Sequence, residues 1–259
     1  FFGVYSVKSM RDDRIVALVH GTTVHGAQFV DPALRLQPLT YYHRSGPLGQ
    51  VVAALEEEGR LASVGAVGLG VGAGACYRTD GQDWVYYEID PAVTALARDT
   101  RYFEFLSGCA PDMPIVHGDA RLSLEAEPDG RFDLLILDAF SSDSIPAHLM
   151  TREAVALYLD KLAPDGLLLF HISNRNIDLE PVLAGLMEDA GLEARLQRHR
   201  PNDAERADYA LTSEWVVAAR SADGLDWIPP DSEWRALITA SGMRPWTDDY
   251  SYILGLIRW

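Results

Sequence analysis

Glu88, Asp119 and Asp138 each close an apolar run, in WVYYE, IVHGD and LLILD, and acids so placed are candidates for ligand chemistry. A carboxylate at the end of a strand in a doubly wound sheet faces the crevice where ligands bind, and at Glu88 it would accept hydrogen bonds from both ribose hydroxyls of a nucleoside. At Asp119 it would accept one from an exocyclic amine such as that of adenine, while the N–H of Ala120 meets a ring nitrogen. The competing reading of Asp119, and of Asp143 in the loop beyond Asp138, is a helix N-cap. Upstream, VGLGVGAG sets Gly68, Gly70, Gly72 and Gly74 between Leu69, Val71 and Ala73. Glycines directly after a buried strand let backbone N–H groups approach a ligand with no Cβ in the way. No Lys-Ser or Lys-Thr follows, so the loop does not read as a phosphate-cradling P-loop. Near the start, HGTTVHGAQ crowds His20, His25 and Gln28 between glycines. Gln and neutral His each offer a donor and an acceptor, so His25 and Gln28 suit a polar wall closing over the ligand; the alternative is that they satisfy turn backbones. The spacing matches no helical pair of metal ligands and no carboxylate completes a set, which argues against a metal.

These residues need a parallel sheet to bring them together, and the chain has the pattern for one. Apolar strands are expected at 63–70, 84–90, 114–118, 132–138, 166–173, about 192–198 and 214–220, with helices between them, most clearly at 91–99, 148–162 and 178–190. Strands separated by helical stretches of this kind imply right-handed crossovers and a mainly parallel sheet. A helix over Pro47–Glu58, stopped by Gly59, precedes the first strand. Residues 1–45 differ: short β-rich runs around the turn residues Asp12 and Asp13 predict a small N-terminal domain of β-hairpins, leaving 46–259 as the Rossmann-like nucleoside-binding domain. Pro201 to Ser213 reads as a surface loop able to act as a lid. Trp215 reads as core rather than as a platform for a cation. Asp248, Asp249 and Tyr250 would add acids and an aromatic face to a cation site, or form a capped surface turn. His171 and Asn174 follow the fifth strand of the sheet and border the crevice.

The chain has 259 residues, 48% of them hydrophobic, enough for one main core with an appendage. A formal charge of −16 repels nucleic acid and favours a small cation, or simply keeps the domain soluble. Cys76 and Cys109 are too few for a disulfide framework or a cysteine metal site, which fits a reducing cytosol. No apolar run reaches the length of a membrane helix, but the sequence starts at Phe1 without a Met, so a membrane-spanning part upstream stays open.

Taken in order, VGAVGLGVGAG, VYYEID, VHGDAR and FDLLILDAFSSDSIPAHLMT resemble the polyamine aminopropyltransferases, the spermidine synthases, and especially relatives in which this domain follows a membrane part. The resemblance extends to HGTTVHGAQ and TYYHRSGPLG. It implies an α/β, methyltransferase-type Rossmann-like sheet with a small N-terminal β domain. It also implies S-adenosylmethionine, usually decarboxylated, as co-substrate, its aminopropyl group passing to an amine such as putrescine with release of methylthioadenosine, and no metal. Carried over by position, Glu88 would hold the ribose hydroxyls, Asp119 and the Ala120 backbone the adenine, and Asp138 the attacking amine; His25, Gln28, Gly68 and Gly70 are further candidates for the donor, and Tyr42 and Asp143 for the acceptor. A homodimer and a place on the cytoplasmic face, with or without a membrane tether, complete the expectation. The chemistry is consistent: a sulfonium carbon is already activated, so the enzyme must align the amine and remove its proton, and Asp138 is the expected general base. Two departures matter. Val71 stands where the family has an aspartate that grips the donor's propyl arm, which suggests that intact S-adenosylmethionine is accepted, with aminocarboxypropyl transfer or cleavage without an acceptor as outcomes. The stretch DAFSSDS is longer than the family's form, so the place of its second acid is open. A non-catalytic domain sensing a nucleoside or polyamine for an attached membrane part is the competing reading.

Overall fold

The computed structural model describes residues 4–139, 146–238 and 244–257. Three antiparallel strands come first: β1 (Tyr5–Met10), β2 (Ile15–His20) and β3 (Thr23–Phe29), with Arg11, Asp12 and Asp13 all at positive φ in the first turn. Helix α1 (Pro47–Glu57) leads into β4 (Ser63–Val67), β5 (Asp83–Glu88), α2 (Pro91–Arg98), α3 (Phe105–Cys109), β6 (Ile115–His117), α4 (Ala120–Glu125) and β7 (Phe132–Leu137). Then follow α5 (Arg152–Lys161), β8 (Leu162–His171), α6 (Glu180–Asp189), β9 (Glu193–His199), α7 (Asp203–Ala207), β10 (Ser213–Ala219) and the short β11 (Arg235–Ala236).

Eight strands form one sheet in the order β11-β9-β10-β8-β7-β4-β5-β6. The five from β6 to β8 run parallel, whereas β10 slots antiparallel between β8 and β9. Alternate residues of each central strand feed opposite layers, as the two-residue period of a strand requires. Trp84, Tyr86, Leu134 and Ile136 join the core on the α1 side, while Val85, Tyr87, Leu135 and Leu137 join the core under α4, α5 and α6. The strand order reverses between β4 and β7, and such a switch point opens a crevice at the carboxyl ends of the strands. Three backbone bonds fix the residues there in one row: Gly118 N–H to Glu88 O (3.1 Å), Gly68 N–H to Tyr87 O (2.9 Å) and Asp138 N–H to Val67 O (2.9 Å).

Two sequence expectations are corrected. The stretch 201–213 is not a free loop: Asn202 and Glu205 cap each other reciprocally at the start of α7, and Thr40 pairs with the stretch through Tyr209 O and Leu211 N–H. Tyr209 is buried against Ile15, Ala17 and Leu39, so the segment is packed under the N-terminal sheet. The two cysteines form a disulfide, Cys76 to Cys109, which ties the 3₁₀ turn after the glycine loop to α3. The pairing joins segments 33 residues apart, so the small number of cysteines no longer argues for a reducing compartment. Cross-linking a loop of that size removes entropy worth about 3.7 kcal/mol from the unfolded chain. Reductant, or Cys76→Ser, is therefore expected to lower stability by about that amount in denaturant titrations; native protein with two titratable thiols would refute the bridge.

Candidate active site

The first cleft, of about 770 Å³, is lined from four strand ends: Gly68 and Gly70 after β4, Glu88 ending β5, Asp119 and Ala120 after β6, and Asp138 after β7. The three acids thus converge on one space. His25 of β3 and Tyr5 of β1 cover it from the N-terminal sheet, and His148 and Leu149 from the turn before α5. The glycine loop is this tight because β3 and β7 press on it. A Cβ on Gly68 (φ 94°) would lie 2.3 Å from Asp138 O, and one on Gly70 (φ 55°) 2.4 Å from His25 O.

Glu88 is held by two backbone donors, Leu69 N–H on Oε2 (3.0 Å) and Asp90 N–H on Oε1 (2.8 Å). Each oxygen keeps a further lone pair, which suits a vicinal diol. Burial pushes its carboxyl up, and the backbone donors pull it part of the way back. Burial, and after it the charges of Asp90 and Glu88, push the Tyr5 phenol up to about 12. Asp119 takes the N-cap reading: Oδ1 caps α4 at Arg121 N–H (2.9 Å) and Leu122 N–H (3.3 Å), while Oδ2 meets His148 Nε2 (3.1 Å) and the residue lines the cleft.

Asp138 is buried, and both of its oxygens meet side chains. The Tyr42 hydroxyl donates to Oδ2, and His171 Nδ1 lies 2.5 Å from Oδ1. A carboxylate accepts, so Nδ1 carries the proton and Nε2 is left as an acceptor. Ser173 Oγ, 2.6 Å from Nε2, supplies the hydrogen and itself accepts from Glu214 N–H (2.8 Å). The imidazole of His171, 2% exposed, is clamped between Trp215 (ring centroids 4.3 Å apart, 16° between planes) and Tyr41 (4.5 Å, 37°). The antiparallel register of β10 on β8 sets Trp215 opposite His171. Burial, and secondarily the Asp138 charge, hold the phenols of Tyr41 and Tyr42 well above the usual tyrosine range.

A second open cleft, about 1290 Å³, lies on the far side of this unit, bounded by Thr22, Thr23, Tyr41, Ser173, Arg175 and Glu214 among others. His25 lines both clefts, and His171 lines the second. The hydrogen-bonded Asp138–His171 pair therefore forms part of the wall between the two clefts.

Other candidates fall elsewhere. Gln28 lines neither cleft; its Oε1 accepts from Glu104 N–H (2.6 Å) at the start of α3. Val71 is buried, with its Cγ2 filling the room left by Gly26, and does not line the first cleft. Asp248 is bidentate to Arg121 (2.7 and 2.9 Å) beside a Thr247–Tyr250 turn, so that stretch is a capped turn and not a cation site. Asp143 lies outside the described residues. Trp215 is core, as expected, yet its contact with His171 makes it part of the site's frame. Sequence reasoning passed over Ser173 altogether, because a serine two residues past a strand-ending histidine has no distinctive spacing. Among the described residues no group of three His, Cys, Asp or Glu is arranged to hold a metal, and no helix is long and apolar enough to cross a membrane.

A mainly parallel sheet with a glycine turn and a cleft at its switch point, preceded by a small antiparallel sheet, defines a Rossmann-like, methyltransferase-type fold. No family model matches the chain. Over 83 residues the chain is similar to the polyamine aminopropyltransferase of Vibrio vulnificus (strain CMCP6), at 36% identity across 31% of this chain and 26% of that protein. The chain thus matches about a quarter of that relative's length. In fold it is similar to a probable spermidine synthase from Corynebacterium glutamicum ATCC 13032 (TM-score 0.67, 16% identity, 95% of this chain and 94% of that one). It is also similar to the spermidine synthase of Thermotoga maritima (TM-score 0.53, 14% identity, 91% and 77%).

Proposed function

We propose that this chain transfers the alkyl arm of an S-adenosylmethionine-type sulfonium to a small amine, releasing methylthioadenosine. The observation that carries the reading is the convergence of Glu88, Asp119 and Asp138, from three strands, on one cleft that shares the Asp138–His171 wall with a second. Glu88 takes the ribose hydroxyls, Asp119 and the Ala120 backbone the adenine, and Gly68 and Gly70 let the chain pass close to the nucleoside. The arm then points at Asp138, with His25 alongside, and the amine enters from the second cleft. The names of the relatives support aminopropyl transfer in polyamine synthesis. Val71, uncharged and packed away, offers no anion to an amino group on the donor arm, which favours acceptance of the intact donor beside the decarboxylated one. Incubation with each donor, with and without putrescine or spermidine, tests this by chromatography of methylthioadenosine and of the alkylated amine. Thioether that forms only with amine supports transfer; release without amine points to simple cleavage of the sulfonium. Tight donor binding with no product in any mixture would leave a sensing domain and end the proposal.

A further inference from the structure

The base in this reaction is expected from sequence to be Asp138, but that carboxylate lines the first cleft and not the second, and each of its oxygens already holds a hydrogen bond. One oxygen is closed by the Tyr42 hydroxyl and the other by the ring of His171. The chain of bonds then continues outward, from His171 Nε2 to Ser173 Oγ, and Ser173 lines the second cleft. We propose that the acceptor's ammonium gives up its proton through the Ser173 hydroxyl to His171 Nε2, and that Asp138 fixes the tautomer and balances the charge of the resulting imidazolium. The inference rests on the amine-transfer reading of the site and adds the route of the proton.

Every hydrogen in this path has a place. Glu214 N–H occupies one lone pair of Ser173 Oγ, and the hydroxyl hydrogen points to Nε2, which leaves one lone pair for an N–H of the ammonium. The serine passes its hydrogen to Nε2 as it receives one from the amine. The freed nitrogen lone pair forms the new C–N bond, the C–S bond breaks, and its electron pair stays on sulfur as the neutral thioether. The product leaves as a secondary ammonium, and the imidazolium returns its single proton to water through the second cleft, so one proton is released per turnover. The groups facing His171 are consistent with this duty. Asp138 is the anion on its Nδ1 side, Tyr41 stacks on it as a phenol held protonated by burial, and His25, Glu214 and Arg175 stand around the cleft it lines. Neither ring stacked on it, Trp215 or Tyr41, competes for Nε2, because Ser173 already holds that position.

The test separates a proton route from a structural role by pH. A free alkylamine loses its own proton near about 10.4, so a base matters less as the pH approaches that value. His171→Gln is expected to lower kcat about 10²-fold near pH 7, and Ser173→Ala about 10-fold, in the range of general base effects. Both deficits should shrink steadily as the pH is raised toward about 10, Ser173→Thr should restore most of the loss, and donor Kd by calorimetry should stay within about twofold, since neither residue lines the donor cleft. A deficit that is constant across pH, or no deficit, overturns the relay. Ser173 is only half-buried, so its Ala and Thr variants decide the matter even if His171→Gln does not fold. Wild-type protein that makes no thioether with any amine is a different failure: it removes the transfer reading itself, and the relay with it.

Discussion

Asp138→Asn is expected to lower kcat by about 10³-fold or more while donor Kd moves only a few-fold. The substitution keeps the shape but removes the charge, and an amide can offer its NH₂ to His171 Nδ1, which selects the tautomer with hydrogen on Nε2. That tautomer cannot accept from Ser173, so the loss should resemble the roughly 10⁴-fold seen when an orienting aspartate next to a catalytic histidine becomes asparagine. Single-turnover rates with saturating donor and amine give the first quantity and calorimetry the second. Turnover within about tenfold of wild type would show that the carboxylate has no part in proton removal.

The second large effect is expected at Glu88. Changing it to Gln sets an NH₂ against the N–H of either Leu69 or Asp90, a buried donor left without an acceptor, at a cost of about 1–3 kcal/mol. It also removes the charged acceptor for the ribose, and donor affinity should fall about 10²-fold. The pH behaviour has a definite sign. Burial raises the carboxyl of the folded protein above its unfolded value, so the fold holds this proton more tightly than the open chain does. Its contribution to the stability of the ligand-free protein is therefore present at low pH and is lost as pH rises through the raised value. Donor binding has the opposite trend, because the ionised form accepts from the hydroxyls: affinity should drop on acidification at a pH above the ordinary glutamate range. Both slopes should vanish in Glu88→Gln; melting and calorimetric series that run parallel to wild type would place the titration elsewhere.

Much of this was readable from residue order because it depends on local pattern. The apolar runs of β4, β5, β7 and β8, the glycine turn and the acids after the strands follow from burial on two faces and from where a parallel sheet opens, and both act within a few residues. What escaped depends on distant pairing. Nothing near Cys76 announces Cys109, since the α3 segment comes beside the glycine loop only once the sheet has formed. Gln28 has the chemistry of a ligand contact, but a backbone donor at Glu104, from a part of the chain with no sequence link to it, takes the amide. The charged stretch 201–213 looked solvated, yet its Tyr209 packs with Ile15 and Ala17 of the N-terminal sheet and its Ala210 bridges Thr40. Asp138 was found, but its partners were not: the Trp215 clamp and the Ser173 bond require knowing that β10 doubles back against β8.

The two clefts draw their walls from different stretches of chain. The nucleoside side is built largely by the turns after β4, β5 and β6, the other side by the β2–β3 turn, the end of β8 and the start of β10, with His25 and the Asp138–His171 pair in between. Divergence in the second set, at Thr22, Thr23, Arg175 or Thr212, can retune which nucleophile is admitted without disturbing how the sulfonium is gripped. On the proposed transfer reading, side-chain swaps confined to that rim are the place to change the acceptor while the donor side stays as it is.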